Sequence, residues 1–299
     1  MQTTDKVFMV KPVRFGYNPQ TAANNAFQKE GFEDNAQENA SREFATYVSL
    51  LKANKVDVVV AEDTQVPYTP DSIFPNNWFS THDDGTLVLY PMFAVNRRNE
   101  RKSEFLETIR RVFEIKRVID LTWWESEELY LEGTGSMILD RENKIAYAGR
   151  SPRTSEKVLA DFCKQMGYSS LLFDAYDQNG ELIYHTNVMM SIGTKYAIIC
   201  LDAITDSVQR EQVVDSLKAT GKKIIDISFE QMTNFAGNML ELKSRDGKPI
   251  LVMSSSARKS LTPEQTRELS GYYKLLSPGL EYIENNGGGS ARCMLAEIY

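Results

Sequence analysis

The chain has 299 residues, of which 42% are hydrophobic and 25% are charged, and this composition is typical of a globular protein that folds in water. The formal net charge is −7, and the Lys and Arg residues are spread along the whole sequence. Because there is no basic tract, the charge pattern disfavours nucleic acid and anionic membranes as partners and favours a small-molecule substrate.

The sequence lacks recognisable patterns for a leader segment, a membrane span, a metal site or a nucleotide site. The start, MQTTDKVFMVKPVRF, has no apolar core of a secretory signal, and no apolar run approaches the ~18 residues that span a bilayer. Three cysteines are an odd number in a long chain, which predicts free thiols in a reducing cytoplasm. With two histidines, no CxxC or HExxH, no GxGxxG and no P-loop, the sequence predicts no metal and no other cofactor.

In chain order, the predicted elements begin with a strand (KVFMVKP), a long polar loop, a helix (AQENASREFATYVSLLKAN) and a second strand (VDVVVAED). Four stretches then repeat one pattern, in which a polar loop leads into two short apolar strands joined by a turn. A DG pair between apolar strands is a strong hairpin signal. The four stretches are IFPNNWFSTHDDGTLVLYPM (73–92), LEGTGSMILDRENKIAYAGR (131–150), YHTNVMMSIGTKYAIICL (184–201) and FAGNMLELKSRDGKPILVMS (235–254).

Each hairpin is followed by a charged segment with helical periodicity and then by another strand. Phe105, Ile109 and Phe113, for example, recur at four-residue steps, which is typical of an amphipathic helix lying on a core. The predicted helices are RRNERKSEFLETIRRVF, SPRTSEKVLADFCKQM, SVQREQVVDSLKAT and TPEQTRELSGYYKLL, and the strands predicted after them are KRVIDLT, SSLLFDAY, KKIIDIS and GLEYIE.

Equivalent loop positions recur 51 to 59 residues apart, at Asn77, Ser136, Asn187, Asn238 and Cys293. The N-terminal part fits as a fifth copy, and the final GGGSARCMLAEI supplies a strand that can pair near the first. We therefore predict an α/β fold of five ββαβ units in one closed, propeller-like domain that spans residues 1–299. Ordinary α/β alternation without symmetry is the alternative, and the near-constant spacing favours the repeat.

In a closed ring, the equivalent loop of each unit points at one central axis, so residues far apart in sequence meet there. These loops carry one cysteine, one histidine and one glutamate, which are residue types that catalysis uses. A buried structural thiol and a structural histidine are the alternatives for Cys293 and His185. The candidate loop residues are Asn76, Asn77, Glu132, His185, Asn187, Asn238 and Cys293.

The motifs EGTGS, HTN and FAGN and the glycine-rich stretch before Cys293, in this order and spacing, resemble the pentein or guanidino-group-modifying superfamily. The resemblance covers nearly the whole chain and implies a five-bladed α/β propeller with a central pocket. FPNNWFSTHDDGTLVLYPM and GGGSARCMLAEIY further resemble the citrulline utilisation hydrolase subfamily. The resemblance implies Cys293 as nucleophile, His185 as general acid and base, and Glu132 as a carboxylate that holds the substrate.

The chemistry of these residues agrees with that resemblance. A guanidinium or urea carbon is a poor electrophile, so cleaving its C–N bond needs a thiolate and an imidazole that protonates the leaving nitrogen. Guanidinium-binding penteins typically grip the cation with aspartates, whereas this sequence has Asn77 and Asn187 at those places. An amide both donates and accepts hydrogen bonds, so it matches the C=O and NH₂ of a neutral ureido group. We therefore predict a ureido substrate, citrulline first, cleaved to ornithine, ammonia and carbon dioxide.

Other assignments stay open at the level of sequence. Asn76, Asn238 and Arg292 are further candidates for substrate binding, although Asn238 also fits a loop-stabilising role. Arg292, Arg97 and Arg98 are alternative ligands for the substrate's α-carboxylate. His82 precedes the Asp-Asp-Gly turn and is expected to be exposed. Amidino transfer, arginine deiminase activity and a non-catalytic binding role are the alternative functions, and the sequence does not determine whether the chain forms a homo-oligomer.

Overall fold

Fifteen strands in the described part of the chain form five separate three-stranded sheets. The computed structural model describes residues 1–29 and 35–299. In chain order the strands are β1 (Lys6–Lys11), β2 (Asp57–Glu62), β3 (Phe79–Thr81), β4 (Thr86–Leu89), β5 (Arg117–Asp120), β6 (Met137–Asp140), β7 (Ile145–Gly149), β8 (Ser169–Phe173), β9 (Met190–Ile192), β10 (Tyr196–Ile199), β11 (Lys223–Asp226), β12 (Leu240–Lys243), β13 (Pro249–Val252), β14 (Lys274–Leu276) and β15 (Ala296–Ile298).

Every sheet has the same pairing pattern. The first two strands are antiparallel, and the third returns through a helix to lie parallel to the middle strand. In the sheet β3-β4-β5, for example, β3 runs antiparallel to β4 and β5 runs parallel to it. The sheet β15-β1-β2 completes this pattern because the last strand, β15, returns to pair with β1, with Phe8 opposite Ala296. The predicted five ββαβ units, and their closure by the last strand, are confirmed.

The helices of the described residues connect the strands of each sheet and lead into the hairpins. None of those helices combines the length and the apolarity that crossing a membrane requires. They are α1 (Pro19–Ala22), α2 (Ala36–Ala53), α3 (Ser103–Val112), α4 (Gly133–Ser136), α5 (Glu156–Met166), α6 (Thr186–Met189), α7 (Ser207–Ala219), α8 (Phe229–Thr233), α9 (Ser255–Ser260), α10 (Pro263–Ser270) and α11 (Glu281–Gly287), with 3₁₀ helices at Pro75–Asn77, Val95–Glu100, Thr122–Glu127 and Leu201–Ala203.

The connecting helices each bury one face against a sheet. Phe105 and Ile109 form the buried face of α3, one helical turn apart, as the periodicity predicts. Phe162 and Cys163 lie on the buried face of α5. The middle strand β10 is buried along its whole length, because it lies between two partner strands and is covered on both faces.

A short helix or turn precedes the first strand of each sheet, and neighbouring segments of this kind are joined to one another. The five segments, called the central turns below, are 75–77, 133–136, 186–189, 234–237 and 291–294. Thr186 Oγ1 donates to the carbonyl of Ser136 at 2.6 Å. Asn238 Nδ2 donates to the carbonyl of Asn187 at 2.9 Å, and Asn238 Oδ1 accepts from the backbone N–H of Arg292 at 2.9 Å. Side chains from different sheets are thereby fixed around one axis.

The central turns pack so closely that a side chain is excluded at two positions. A Cβ on Gly135 would lie 2.8 Å from Nδ1 of His185. A Cβ on Gly237 would meet the carbonyl oxygen of Val188 and lie 2.6 Å from the carbonyl carbon of Met189. Both glycines are therefore required by the close approach of neighbouring turns.

One predicted strand is wrong. The stretch GLEYIE, residues 279–284, leads into helix α11. The parallel strand of this last sheet is β14, which lies earlier in the chain, inside the stretch YYKLL that the sequence predicts to be helical. Leu280 and Ile283 are both buried, and this three-residue step suits a helix that packs on α2 rather than a strand.

Replacing Gly237 by Ala should lower the free energy of unfolding by about 1–3 kcal/mol, because the new Cβ displaces the backbone of the neighbouring central turn. Equilibrium urea unfolding measures this change. The matched control is Gly279→Ala, where the nearest atom to a new Cβ is 4.0 Å away, and its effect should stay below about 0.5 kcal/mol. Equal effects of the two substitutions would contradict the packing described for the axis.

Candidate active site

Cys293 lies in the last central turn, three residues before β15 begins, and only 4% of it is exposed. Its sulfur accepts amide hydrogen bonds from Nδ2 of Asn238 at 3.2 Å and from Nδ2 of Asn187 at 3.4 Å. Its backbone N–H donates to the carbonyl of Ser290 at 3.0 Å. Residues next to the first strands of three different sheets thus fix the position of one sulfur atom.

His185 and Glu132 stand directly before α6 and α4, at equivalent places in two neighbouring sheets. Nε2 of His185 lies 2.7 Å from Oε2 of Glu132, and both side chains are buried. An ionised carboxylate can only accept, so Nε2 carries the shared proton and Nδ1 is the free nitrogen of the neutral ring. The carboxylate therefore sets both the orientation and the tautomer of His185.

Two buried arginines lie beside the carboxylate of Glu132. Arg153 Nη1 donates to Oε2 of Glu132 at 3.4 Å, and Arg97 Nη1 lies 3.9 Å from the same oxygen. Arg97 is also held by Glu100, with Nε and Nη2 donating to its two oxygens at 2.8 and 3.0 Å. Both guanidiniums are therefore fixed in place on one side of the site.

Cys293 and His185 line the same small cavity, in which the space between atoms, open to solvent, is about 270 Å³. This shared cavity is the geometric condition on which a cysteine–histidine site depends. A larger groove of about 2220 Å³ lies over α8 and α9, and neither residue lines it. The lining residues of the smaller cavity, called the axial cavity below, are Thr21, Asn25, Asp71, Phe74, Asn77, Arg97, Arg153, Tyr184, His185, Gly287, Gly288, Gly289 and Cys293.

Burial keeps Cys293 and His185 uncharged at neutral pH. It raises the pKa of the Cys293 thiol above its ordinary value, against the opposing hydrogen bonds to the sulfur. It lowers the pKa of His185 to about 4, although the Glu132 carboxylate opposes this change. Burial alone would raise the pKa of Glu132, but Arg153 and His185 hold it well below its usual range. The site therefore contains a thiol, a neutral imidazole and a carboxylate at pH 7.

Three buried polar atoms near the sulfur have no hydrogen-bond partner among the described residues: Nδ2 of Asn77, Oδ1 of Asn187 and Oδ1 of Asp71. The amide of Asn77 has one possible orientation, because its Oδ1 accepts at 2.8 Å from Arg97, which can only donate. Asn77 and Asp71 line the axial cavity. Since buried polar atoms nearly always have partners, these three atoms indicate a polar ligand.

Arg292 lies outside the axial cavity, so the structure differs from the expectation that it binds substrate. Its Nη2 pairs with Glu297 at 3.0 Å, because adjacent residues of the last central turn direct Arg292 and Cys293 to different sides. Arg97 lines the cavity and Arg98 does not, so of these three arginines only Arg97 can meet a ligand there.

Asn76 and Asn238 support the central turns without lining the axial cavity. Asn76 Nδ2 donates to Oγ1 of Thr134 at 3.3 Å and so bridges the first two turns. Asn238 contacts the sulfur and also bridges the last three turns, as described above. Asn187 does not line the cavity either, and like Asn238 it reaches the site through its contact with the sulfur.

The expected exposure of His82 is wrong, because only 2% of the residue is exposed. Its Nε2 lies 2.9 Å from Oγ of Ser80, and its Nδ1 lies 3.2 Å from Nη1 of Arg141. The ring faces Phe162 of helix α5, with 6.2 Å between the ring centroids. The helix of the next unit thus covers a turn that the local sequence marks as exposed.

Sequence reasoning misses Asp71, Arg153 and Tyr184 as cavity residues. Tyr184 directly precedes His185, and this position is the one signal that could have identified it. Asp71 and Arg153 lie outside the repeated loops, so neither spacing nor motif points to them. In the part of the chain that the structure describes, no group of three or more His, Cys, Asp or Glu side chains is arranged to hold a metal ion.

Residues 11–299 match a protein family described as N,N dimethylarginine dimethylhydrolase, eukaryotic. No curated protein matches the sequence. The match covers every strand except most of β1 and includes every residue of the axial cavity, so the family comparison bears on the whole site.

Solved structures share the fold at low sequence identity. Arginine dihydrolase ArgZ from the ornithine–ammonia cycle in cyanobacteria gives a TM-score of 0.77 at 17% identity, over 98% of this chain and 40% of that chain. The N-terminal domain of ArgZ, bound to substrate, gives 0.73 at 17% identity, over 98% and 97%. A dimethylarginine dimethylaminohydrolase adduct with S-methyl-L-thiocitrulline gives 0.70 at 14% identity, over 100% of both chains. This chain thus spans 40% of the length of full ArgZ and nearly all of its N-terminal domain.

Both histidines should stay neutral between pH 8 and about 5, because burial lowers the pKa of His185 to about 4 and that of His82 well below its ordinary value. Imidazole chemical shifts measured by NMR across this range should therefore stay constant. The same protein unfolded in urea is the control, and its two imidazoles should titrate near the ordinary histidine value of about 6.5. A native imidazole that titrates near that value would contradict the buried, uncharged site.

Proposed function

The chain belongs to the N,N dimethylarginine dimethylhydrolase family of the pentein superfamily, and from this premise we propose that it hydrolyses a ureido amino acid, citrulline first. It is a hydrolase acting on carbon–nitrogen bonds other than peptide bonds. In the proposed reaction Cys293 is the nucleophile and His185 is the general acid and base. Glu132, which the resemblance implied would hold the substrate, instead holds His185, because it pairs with that ring at 2.7 Å and does not line the axial cavity. Residues 1–299 form one catalytic domain in this proposal.

The amide of Asn77 is the observation that carries the choice of a ureido group. Its Nδ2 is a buried donor in the cavity wall with no partner in residues 1–29 and 35–299, and the bond to Arg97 fixes its direction. A guanidinium offers only donors to such an atom, whereas a ureido group offers a carbonyl oxygen. Oδ1 of Asn187, whose amide already contacts the sulfur, is a complementary acceptor for the ureido NH₂.

The charges on the cavity wall support an α-amino acid. Arg97 and Arg153 provide guanidinium donors for an α-carboxylate. Oδ2 of Asp71 accepts from Asn18 at 2.7 Å and from Thr21 at 3.0 Å, which leaves Oδ1 for an α-ammonium group. Arg97 and Arg153 are already paired with Glu100 and Glu132, so a ligand carboxylate would add to these pairs through the remaining N–H groups.

In the first step, Cys293 transfers its proton to Nδ1 of His185, and the sulfur bonds to the ureido carbon. Glu132 stabilises the resulting imidazolium across the 2.7 Å hydrogen bond to Nε2. The imidazolium then protonates the terminal nitrogen, the C–N bond breaks, and ammonia leaves. The substrate carbon remains bound to the sulfur as a thiocarbamate.

In the second step, neutral His185 takes a proton from water, and the water oxygen bonds to the thiocarbamate carbon. The C–S bond breaks, and the sulfur of Cys293 regains its proton from His185. The released N-carboxy amino acid loses carbon dioxide and becomes ornithine. One citrulline and one water thus give one ornithine, one ammonia and one carbon dioxide.

Hydrolysis of a guanidino amino acid is the second candidate function. The matched family is named for dimethylarginine hydrolysis, and the structural neighbour ArgZ is named as an arginine dihydrolase. The same cysteine and histidine chemistry would serve a guanidinium carbon. The carboxylate of Glu132, however, is already paired with His185 and Arg153, so a cationic group would meet amides near the sulfur.

A substrate panel of citrulline, arginine, dimethylarginine and carbamoyl-putrescine, with products separated by chromatography, tests the choice. We expect the highest kcat/KM for citrulline, with ornithine and ammonia as products. Cys293→Ala should lose activity by at least about 10³-fold and keep its circular dichroism spectrum, because only the nucleophile is removed. The control Cys163→Ala removes a thiol outside the cavity and should stay active.

Three outcomes of this panel would count against the proposal. Faster turnover of arginine or dimethylarginine would favour the second candidate function. A fully active Cys293→Ala would refute the nucleophile. Transfer of the substrate carbon to an added amine would identify a transferase.

Asn77→Asp should change substrate preference. The variant keeps an oxygen for Arg97 and replaces the free donor by a second acceptor, so we expect kcat/KM for citrulline to fall at least about tenfold. The ratio of guanidino to ureido turnover should rise. Asn179→Asp, in an exposed turn, is the control and should leave both rates unchanged. An unchanged ratio in the Asn77 variant would remove the main support for a ureido substrate.

A further inference from the structure

A neutral ureido substrate brings no positive charge that could help Cys293 to ionise. Burial also opposes ionisation, so the thiolate needs stabilisation from the protein. Arg292 is the adjacent cation in the sequence, but its guanidinium pairs with Glu297 at 3.0 Å and lies outside the axial cavity. Another group next to the sulfur therefore has to provide this stabilisation.

We propose that Asn238 is a further catalytic residue, whose side-chain amide donates a hydrogen bond to the sulfur of Cys293 and stabilises the thiolate. This inference rests on the proposed function in one respect, since it takes Cys293 as the nucleophile. Nδ2 of Asn238 lies 3.2 Å from the sulfur, and the asparagine is fully buried.

The orientation of the Asn238 amide is fixed by the backbone on both sides. Its Oδ1 accepts at 2.9 Å from the N–H of Arg292, which can only donate. Its Nδ2 donates at 2.9 Å to the carbonyl of Asn187, which can only accept. A flipped amide would lose both bonds, so the second proton of Nδ2 has to face the sulfur.

The bond from Asn238 favours the charged form of the cysteine. A thiol sulfur is a weak acceptor, whereas a thiolate accepts a charge-assisted hydrogen bond that is shorter and stronger. A donor already in place therefore stabilises the thiolate more than the thiol, and this difference lowers the thiol pKa. Asn187 provides a second donor at 3.4 Å, and its Oδ1 stays available to the substrate.

The other groups around the sulfur leave a clear window for a titration. Burial raises the pKa of Tyr47 and Tyr184 well above 10, and it lowers that of His185 to about 4. Ionisation in this cluster above about pH 7 and below the pKa values of these two tyrosines therefore reports Cys293. Titratable and charged groups face the sulfur from the cavity wall and from the segments packed on its turn. They are Tyr47, Asp71, Arg97, Glu132, Arg153, Tyr184, His185 and Arg292.

The test is a pH titration of the Cys293 thiolate by its ultraviolet absorbance, taken as the difference from a Cys293→Ala protein. Asn238→Ala should raise the thiol pKa by about one unit or more, and so reduce the thiolate fraction at pH 7 about tenfold. The deficit in kcat/KM should shrink as the pH rises, which a purely structural role would not produce. Asn238→Asp keeps the acceptor for Arg292 and serves if the Ala variant fails to fold.

Asn286→Ala is the matched control. Asn286 is also fully buried, and its Nδ2 also donates to a backbone carbonyl at 2.9 Å, that of Tyr282, so the substitution costs a similar hydrogen bond. The pKa of the Cys293 thiol in this variant should equal that in the wild-type protein. A loss of stability that both variants share can thereby be distinguished from a change in the Cys293 pKa that only the Asn238 variant shows.

A third measurement uses the wild-type protein alone. The side-chain amide protons of Asn238, followed by NMR, should shift with the same midpoint as the ionisation of Cys293. The proposal would be overturned by an unchanged Cys293 thiol pKa in a folded Asn238 variant. It would also be overturned if the Asn238 amide protons showed no shift at the midpoint of Cys293 ionisation. None of these titrations uses a substrate, so a failure to hydrolyse citrulline would refute the proposed function without touching the role of Asn238.

Discussion

The close packing of five central turns around one axis is the constraint on which the site depends. Each turn belongs to a different sheet, and hydrogen bonds such as that from Thr186 to Ser136 join neighbouring turns. Glycines at positions 135 and 237 permit this approach, because a single Cβ there would overlap the next turn. The arrangement buries Cys293, His185 and Glu132 among packed turns, and such packing fixes the geometry of a site.

The same packing sets the electrostatics. Removing water from the axis makes the thiol harder to ionise and the imidazole harder to protonate, so Cys293 and His185 rest as a neutral pair. Glu132 remains ionised because Arg153 and the shared proton of His185 stabilise its charge. In the proposed reaction the pair becomes charged, and the carboxylate 2.7 Å away then stabilises the imidazolium.

Amides, rather than carboxylates, surround the sulfur. Asn187 and Asn238 donate to it, and Nδ2 of Asn77, in the cavity lining, is a donor without a partner among the described residues. An amide carries no charge that needs a counter-ion, so it can donate to both a thiolate and a neutral carbonyl without adding a buried charge to the cavity. In the proposed function, asparagine at these positions serves both the binding of a neutral group and the stabilisation of a thiolate.

The sequence by itself determined the repeat, the closure by the last strand and the loops that meet at the axis. These features follow from local periodicity and even spacing, which can be detected in a single chain because its five units repeat one pattern. It also placed Cys293, His185 and Glu132 at equivalent positions. Such positions share one side of the ring whatever the details of packing, so their meeting could be predicted.

Only the tertiary structure decided which side chains face the axial cavity. Arg292 lies in a repeated loop beside Cys293 and Arg153 lies outside those loops, yet Arg292 pairs with Glu297 and Arg153 lines the cavity. His82 is buried because a helix of the next unit covers its turn, and no local pattern encodes that cover. The direction of a side chain at a turn depends on what the neighbouring sheet places against it, and that contact exists only once the ring has closed.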